Sequence, residues 1–198
     1  LPSIKQIYSV PHGSFLIQHF LSKLHTKLLC KDTLHWEFIT PGIIDSVVNE
    51  LNSSFLCAID IETAKEGRRI TSVSYTAGFL NDSGAIYTKT WVIKVCAENL
   101  PWAITAMRRF NATVCPKVMQ NGQYDSVYFL RFRAPVVNWK YDTYGLFHST
   151  YQELPKDLAF ISAFYLDDFR FWKDESGSNL YEYNAKDTHN TFWTLIAM

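Results

Sequence analysis

The pattern of apolar and polar residues predicts a sheet in the first half of this chain. Residues 55–61, FLCAIDI, form a nearly continuous apolar run of the kind that is buried on both faces of a sheet. Segments 68–80 and 85–95 are rich in β-branched and aromatic residues, and the NDSG sequence between them predicts a turn. The pattern therefore predicts one buried strand followed by a β-hairpin.

The second half alternates between strand and helix patterns. Segments 100–110 and 124–133 have helical spacing, whereas 114–120 and 136–143 predict a fourth and a fifth strand. A last helix is predicted over Leu180–Ala197. Three strands followed by strands that alternate with helices favour an α/β fold. Its mixed five-stranded sheet would be antiparallel at the start, parallel afterwards and flanked by helices.

The first 52 residues have a less regular pattern. We predict a helix around 15–29, then an extended piece, and a short amphipathic helix within 40–54 that begins at Pro41. We therefore interpret residues 1–52 as an N-terminal extension that contains a helix and residues 53–198 as the main domain.

Composition indicates a folded chain without a strong overall charge. Of the 198 residues, 47% are hydrophobic and 16% aromatic, which is enough for one well-formed core. Lys and Arg together number 19, as do Asp and Glu, so the net charge is zero and no global field attracts nucleic acid. A nucleic-acid partner would have to be bound locally, and the basic clusters at 68–69, 108–109 and 131–133 are also typical of solvated surface.

The cysteines and the apolar runs indicate an intracellular protein. The four cysteines are scattered without a CxxC pair, which excludes zinc-ribbon spacing and is typical of reduced thiols. No apolar run approaches the length of about 18 residues that spans a bilayer, so we expect no membrane partner. Because the chain begins with Leu1 and ends in a helical pattern, we expect it to be a piece of a longer protein.

Two carboxylates end the first predicted strand. Side chains alternate across a strand, so Asp60 and Glu62 leave the same face while Ile61 points to the other. Two anions this close raise each other's pKa unless a cation lies between them, and hard oxygen ligands suit magnesium or manganese. A D-x-E pair alone is also common as an ordinary strand end in water.

Two other segments carry acids that the predicted fold brings towards this pair. Asp125 falls in the first turn of a helix after a short strand, where the helix dipole also favours an acid. The end of that strand should lie beside Asp60 in such a sheet. Tyr183 and Asp187 are four residues apart and share one face of the last helix, although a packed aromatic beside a surface acid has the same spacing.

The order of these motifs resembles the tyrosine branch of the DEDD superfamily of 3′-to-5′ exonucleases. DIET at 60–63 looks like the first exonuclease motif, NGQYD at 121–125 the second and YNAKD at 183–187 the third. The resemblance covers residues 55–198 and implies a ribonuclease H-like fold. The second motif, as QNGQYD, is most similar to that of the proofreading domain of family A DNA polymerases.

The histidine branch of the superfamily fits less well. It would place a histidine five residues before Asp187, where this chain has Glu182. We therefore interpret His189 as a surface residue or a residue behind the ligands, not as a catalytic base.

The resemblance implies a site with two divalent cations, Mg²⁺ or Mn²⁺, about 3.5 to 4 Å apart. Asp60 would bridge both ions, Glu62 and Asp187 would complete the site of the ion on the nucleophile side, and Asp125 would serve the second ion. Tyr183 would orient the attacking water. The reaction would hydrolyse the last phosphodiester of single-stranded DNA and release a nucleoside 5′-monophosphate.

The implied partner is the 3′ end of a single DNA strand. We expect Thr63 and Asn121, beside the motif acids, to contact the terminal nucleotide. Phe129, Tyr144 and Phe164 are candidates for stacking on bases, and each is also typical of a core residue.

Two alternatives remain open on the same fold. One is a catalytically silent nucleic-acid-binding or scaffold module, and the other is an RNA-trimming exonuclease of the ribonuclease D type. The proofreading interpretation implies a polymerase domain in the same or another chain. Other enzyme classes lack support, since the chain has no P-loop, no G-x-S-x-G and no H-E-x-x-H sequence.

Overall fold

A computed structural model describes residues 13–23, 29, 31–66, 69–167 and 179–198. These residues form seven α-helices: α1 (Gly13–Lys23), α2 (Ile44–Ser53), α3 (Leu100–Asn111), α4 (Gly122–Arg131), α5 (Thr143–Thr150), α6 (Leu158–Tyr165) and α7 (Leu180–Ala197). They also form six strands: β1 (Trp36–Phe38), β2 (Leu56–Thr63), β3 (Ile70–Leu80), β4 (Ile86–Lys94), β5 (Lys117–Met119) and β6 (Trp139–Asp142). Short 3₁₀ turns at Pro41–Ile43 and Ala97–Asn99 lead into α2 and α3.

All strands belong to one mixed sheet with the order β1-β4-β3-β2-β5-β6. Strands β2, β3 and β4 are antiparallel, whereas β5 and β6 continue parallel to β2. The predicted α/β fold with an antiparallel start and parallel continuation is therefore confirmed. Strand β1 adds a sixth member at the edge, parallel to β4, in the segment for which the sequence predicted only an extended piece. Three residues are too few for strand alternation to be visible in a sequence.

The two faces of the sheet are covered differently. On one face, α2 and α3 bury an apolar core that includes Leu51, Trp91 and Phe110. On the other face α7 crosses the central strands, and Phe192 and Trp193 pack against the start of β2. Burial of both faces explains why β2 reads as a continuous apolar run.

Helix α7 is attached to the sheet by buried polar groups as well as by apolar packing. The Ser72 hydroxyl donates to the side-chain oxygen of Asn184 at 2.8 Å, and the Ser74 hydroxyl donates to its backbone carbonyl at 2.8 Å. One turn further on, the hydroxyls of Thr76 and Thr188 are 3.0 Å apart. Since buried polar groups need partners, these bonds set the position of α7 along the sheet.

The N-terminal segment packs on the rest of the chain. The sequence predicted a helix around 15–29; the structure has α1 over Gly13–Lys23, and residues 24–28 lie outside the described residues. The His19 ring stacks on Phe164 with ring centroids 3.6 Å apart, and the Lys23 ammonium donates to the Leu166 carbonyl at 3.2 Å. In the part of the chain that the structure describes, no helix is long and apolar enough to cross a membrane.

Candidate metal centre

Strand β2 presents the first two acids. In the antiparallel register Asp60 pairs with Ser74 and Glu62 pairs with Ser72, so both carboxylates lie on the α7 face of the sheet. Asn184 of α7 donates a hydrogen bond from its side-chain amide to the Asp60 Oδ2 at 2.6 Å. The position of α7 on the sheet therefore also determines the orientation of the Asp60 carboxylate.

Helix α7 supplies a third acid to the same place. One oxygen each of Asp60, Glu62 and Asp187 lie within 4.8 Å of one another. Tyr183, one turn before Asp187, forms a side-chain hydrogen bond with it. The Tyr183 ring packs against Leu158 at the start of α6, which holds the phenol beside the acids.

Helix α4 brings the fourth acid. After β5 the chain turns through Asn121, which has the left-handed conformation φ 55°, ψ 44°, and enters α4 at Gly122. A Cβ on Gly122 would lie 2.7 Å from the Met119 Cβ, so only glycine fits this turn without displacing its neighbours. Asp125 then lies in the first turn of α4 and is only 4% exposed.

The charges of neighbouring acids raise the pKa values of Asp60 and Asp125. Burial, followed by the charges of Asp125, Asp187 and Glu62, raises the pKa of Asp60 well above its ordinary value. Burial, followed by Glu62 and Asp142, raises the pKa of Asp125 to about 8. These shifts are the ones expected of buried carboxylates that repel one another. We call Asp60, Glu62, Asp125 and Asp187 the carboxylate site.

The chemistry of this site fits a divalent cation. Among the described residues, the buried Oδ2 of Asp125 has no hydrogen-bond partner, which is unusual for a buried carboxylate oxygen. Carboxylate oxygens are the ligands that Mg²⁺ and Mn²⁺ prefer, and a cation would offset the repulsion that raises the pKa values. Asp60, Glu62 and Asp187 have the spacing to hold one ion, and Asp125 is close enough for its charge to raise the pKa of Asp60.

The tyrosine is held in its protonated form. Burial raises the pKa of Tyr183 well above its ordinary value, and the charges of the neighbouring acids Asp187, Glu62 and Asp60 add to this effect. The phenol therefore carries its proton throughout the neutral range and acts there as a hydrogen-bonding group.

Sequence reasoning missed two residues that orient the site. Asn184 joins Asp60 to Ser72, and the available signal was an asparagine, a weak helix former, in the middle of a helix beside Tyr183. Asp142 accepts hydrogen bonds from the backbone N–H groups of Asn121 at 3.1 Å and Gly122 at 2.8 Å.

Asp142 also caps α5, accepting from the Tyr144 N–H at 3.0 Å. An Asp at the end of a strand and before a helix is a common capping signal. Its second role, at the turn that carries Asp125, depends on strand pairing and has no local signature.

The two residues expected to contact the terminal nucleotide are partly or fully exposed. The Thr63 hydroxyl is 3.2 Å from the Tyr124 hydroxyl, and Tyr124 is 47% exposed. Asn121 is exposed and uses its backbone N–H to contact Asp142, which leaves its side chain at the surface of the turn.

Several other expectations need correction. Phe129 and Phe164 are 0% and 1% exposed, so neither can stack on a base, whereas Tyr144 is 39% exposed and remains accessible. His189 is buried, which excludes the surface position, one of the two alternatives expected for it. Its Nε2 lies 2.8 Å from an Asp32 carboxylate oxygen, and Asp32 is not one of the acids of the site.

Solved structures of other proteins share the fold of this chain. No family model and no curated protein matches the chain. The EXO domain of Nibbler from Aedes aegypti is 12% identical with a TM-score of 0.56, and the match covers 87% of this chain and 88% of that one. Trypanosoma brucei RNase D in complex with RNA U12 is 12% identical with a TM-score of 0.60, over 82% of this chain and 61% of that one.

A polymerase structure has the same fold in part of its length. The POL domain of Pol1 from M. smegmatis, in complex with DNA primer-template and dNTP, is 12% identical with a TM-score of 0.61. That match covers 82% of this chain and 26% of the polymerase chain, so this chain spans about a quarter of it. The predicted ribonuclease H-like fold is therefore confirmed, and at these identities the likeness shows the fold alone.

Proposed function

We propose that this protein is a metal-dependent 3′-to-5′ exonuclease. The observation that carries the proposal is the convergence of Asp60, Glu62 and Asp187 within 4.8 Å, beside the buried Asp125, on a fold shared with exonuclease domains. These acids come from three elements far apart in sequence, and their mutual repulsion weakens the folded state unless a cation is bound.

The chain's own groups have distinct roles in this proposal. Asp60, oriented by Asn184, would hold one ion together with Glu62 and Asp187. In this proposal Asp60 would also share a second ion with Asp125. When bound, the two ions supply an activated water and stabilise the leaving 3′ oxygen. Tyr183, whose pKa is raised by burial and by the neighbouring acids, would position the attacking water by hydrogen bonding.

The proposed substrate is the 3′ end of single-stranded DNA, with Thr63 and Asn121 contacting the terminal nucleotide. The DNA assignment is supported by the QNGQYD sequence, and the fold shared with Pol1 is compatible with a role in proofreading beside a polymerase domain. In this proposal residues 53–198 form the exonuclease domain and residues 1–52 form an N-terminal extension. We also propose that the protein acts inside the cell.

RNA trimming is the second candidate function. Trypanosoma brucei RNase D has the same fold with RNA bound, and Escherichia coli RNase D, an exoribonuclease involved in structured RNA processing, is 14% identical with a TM-score of 0.54. The carboxylates act on the phosphodiester, so they do not by themselves discriminate against a 2′-hydroxyl. A silent binding module is less well supported, because the four acids and Tyr183 are all in place.

The test uses matched single strands of DNA and RNA labelled at the 5′ or the 3′ end. Incubation with Mg²⁺ or Mn²⁺ should shorten the 5′-labelled strand stepwise and release label from the 3′-labelled strand at once, and chelator should stop both. Asp187→Asn should abolish the reaction, whereas Asp82→Asn, in the exposed turn between β3 and β4, should not.

The outcomes separate the three interpretations. Faster shortening of DNA supports the proofreading proposal, and faster shortening of RNA supports the ribonuclease D type. A folded protein that shortens neither strand under any metal condition contradicts the exonuclease proposal.

A further inference from the structure

A cavity lies at the edge of the sheet where β1 and β4 end. Its volume is about 500 Å³, and its walls include Trp36 and Phe38 of β1, Lys94 at the end of β4, Trp102 of α3 and Tyr181 of α7. We call it the aromatic cavity. None of its residues belongs to the carboxylate site.

The aromatic rings leave part of this cavity open. Trp36 and Phe38 meet edge to face, with ring centroids 5.0 Å apart and an interplanar angle of 85°. Phe38 meets Tyr181 in the same way at 5.2 Å and 76°. Edge-to-face rings cover only part of each other's faces, and Phe38 stays 42% exposed.

The indole groups of this region differ in their hydrogen bonding. Trp91 donates its N–H to Glu37 at 3.0 Å, and Trp193 donates to Asp32 at 2.9 Å. Within the described ranges no residue accepts a hydrogen bond from the indole N–H of Trp36 or Trp102. Both residues line the cavity, and neither indole N–H is used within the described part of the chain.

The charge of the cavity suits nucleic acid. Lys94 is exposed, and its ammonium lies 5.9 Å from the centre of the Tyr181 ring. The described residues that line the cavity include no carboxylate. Flat aromatic surface next to one cation is the combination that binds single-stranded nucleic acid, since bases stack on the rings and the cation attracts phosphate.

The sheet register places this cavity beside the carboxylate site. Glu62 of β2 pairs with Ser72 of β3, and Ser72 pairs with Lys94 of β4, so the three residues form one line across the sheet. Two strand spacings of about 4.8 Å separate β2 from β4 by about 10 Å. Ser72 and Lys94 both contact α7, which shows that the line runs along one face.

Helix α7 contributes residues to both the aromatic cavity and the carboxylate site. Tyr181 faces the aromatic cavity, and Tyr183, two residues later, faces the acids. A strand whose 3′ end lies at the acids can therefore pass the first turn of α7 and place an upstream base in the cavity.

We propose that the aromatic cavity binds one unstacked base of a single strand whose 3′ end lies at the carboxylate site. The position of the 3′ end rests on the proposed exonuclease function, whereas the stacking itself does not. Because paired bases in a duplex are stacked on their neighbours, the cavity selects single strands and accepts both DNA and RNA.

Binding measured in chelator tests the cavity without hydrolysis. The probes are a 5′-fluorescein oligothymidylate 12-mer, the matching oligouridylate and a blunt DNA duplex, followed by fluorescence anisotropy. Phe38→Ala and Tyr181→Ala should each weaken binding of both single strands about tenfold, and the duplex should bind at least about tenfold more weakly than the single strands. The matched control is Tyr87→Ala, which removes an equally exposed aromatic at the opposite end of β4 and should leave affinity unchanged.

A second measurement follows tryptophan fluorescence. Oligothymidylate should quench tryptophan fluorescence of the wild-type protein, and Trp36→Phe should remove a large share of that quenching. Wild-type affinity in folded Phe38→Ala and Tyr181→Ala proteins, or an absence of quenching in the wild type, overturns the proposal.

Kinetics separate this proposal from the exonuclease proposal. On the 12-mer, Phe38→Ala should raise KM about tenfold and leave kcat unchanged, while hydrolysis of a dinucleotide, too short to reach the cavity, should not change. Strand binding that depends on Phe38 in a protein that hydrolyses nothing supports the cavity and contradicts the nuclease. Hydrolysis that is insensitive to Phe38 supports the nuclease and contradicts the cavity.

Discussion

Asp125→Asn should stabilise the metal-free protein at neutral pH while removing its activity. Asp125 is 4% exposed, and its Oδ2 has no hydrogen-bond partner among the described residues. Burial, Glu62 and Asp142 raise its pKa to about 8. Asparagine has nearly the same shape and carries no charge, so the variant removes the repulsion and keeps the packing.

The sign and size of the effect follow from proton linkage. The pKa of Asp125 is raised in the folded protein from 3.8 to about 8, so the folded state holds a proton that the unfolded state releases. Wild-type stability therefore falls, relative to the variant, as pH rises from about 4 to about 8, by at most about 1.4 kcal/mol per pH unit. The upper limit at pH 7 is about 4 kcal/mol. Because neighbouring acids share the repulsion, we expect about 2 kcal/mol, or about 6 °C in Tm for a chain of this length.

Thermal and urea unfolding of both proteins in chelator measure this difference. The stability difference should be close to zero near pH 4, reach about 2 kcal/mol near pH 7 and stop growing above about pH 8. Added Mn²⁺ should stabilise the wild type more than the variant, because only the wild type keeps all four ligands. A variant that is no more stable than the wild type at pH 7, or a difference that persists unchanged at pH 4, would refute the reasoning.

Three further predictions concern the groups around the acids. Asn184→Ala should weaken metal affinity about 10- to 100-fold, since Asp60 loses its orienting hydrogen bond, and metal titration of the activity checks this; an unchanged titration would contradict it. Tyr183→Phe should lower kcat about 100-fold at unchanged metal affinity and unchanged KM, and a variant as active as the wild type would exclude the water-positioning role. Gly122→Ala should lower the free energy of unfolding by about 2 kcal/mol, because its Cβ would lie 2.7 Å from the Met119 Cβ. Urea unfolding of the variant and the wild type measures this difference, and equal stability of the two proteins would show that the turn relaxes.

The amino-acid sequence alone determined the central elements of the sheet and the face on which the first acids lie. Strand β2 is buried on both sides and β3 and β4 are rich in β-branched residues, so their patterns are visible without a partner. The same local alternation shows that Asp60 and Glu62 share a face, and helical spacing shows the same for Tyr183 and Asp187.

Only the tertiary structure decided which of these surfaces meet. Asp60 and Asn184 are 124 positions apart, and their hydrogen bond exists because buried serines and threonines position α7 on the sheet. The burial of His189 against Asp32 also depends on packing between distant segments. Alternation along a chain records which side of an element avoids water, whereas the partner that covers that side depends on contacts across the whole fold. The four acids therefore appear in the sequence as separate motifs and become one site only where β2, α4 and α7 come together.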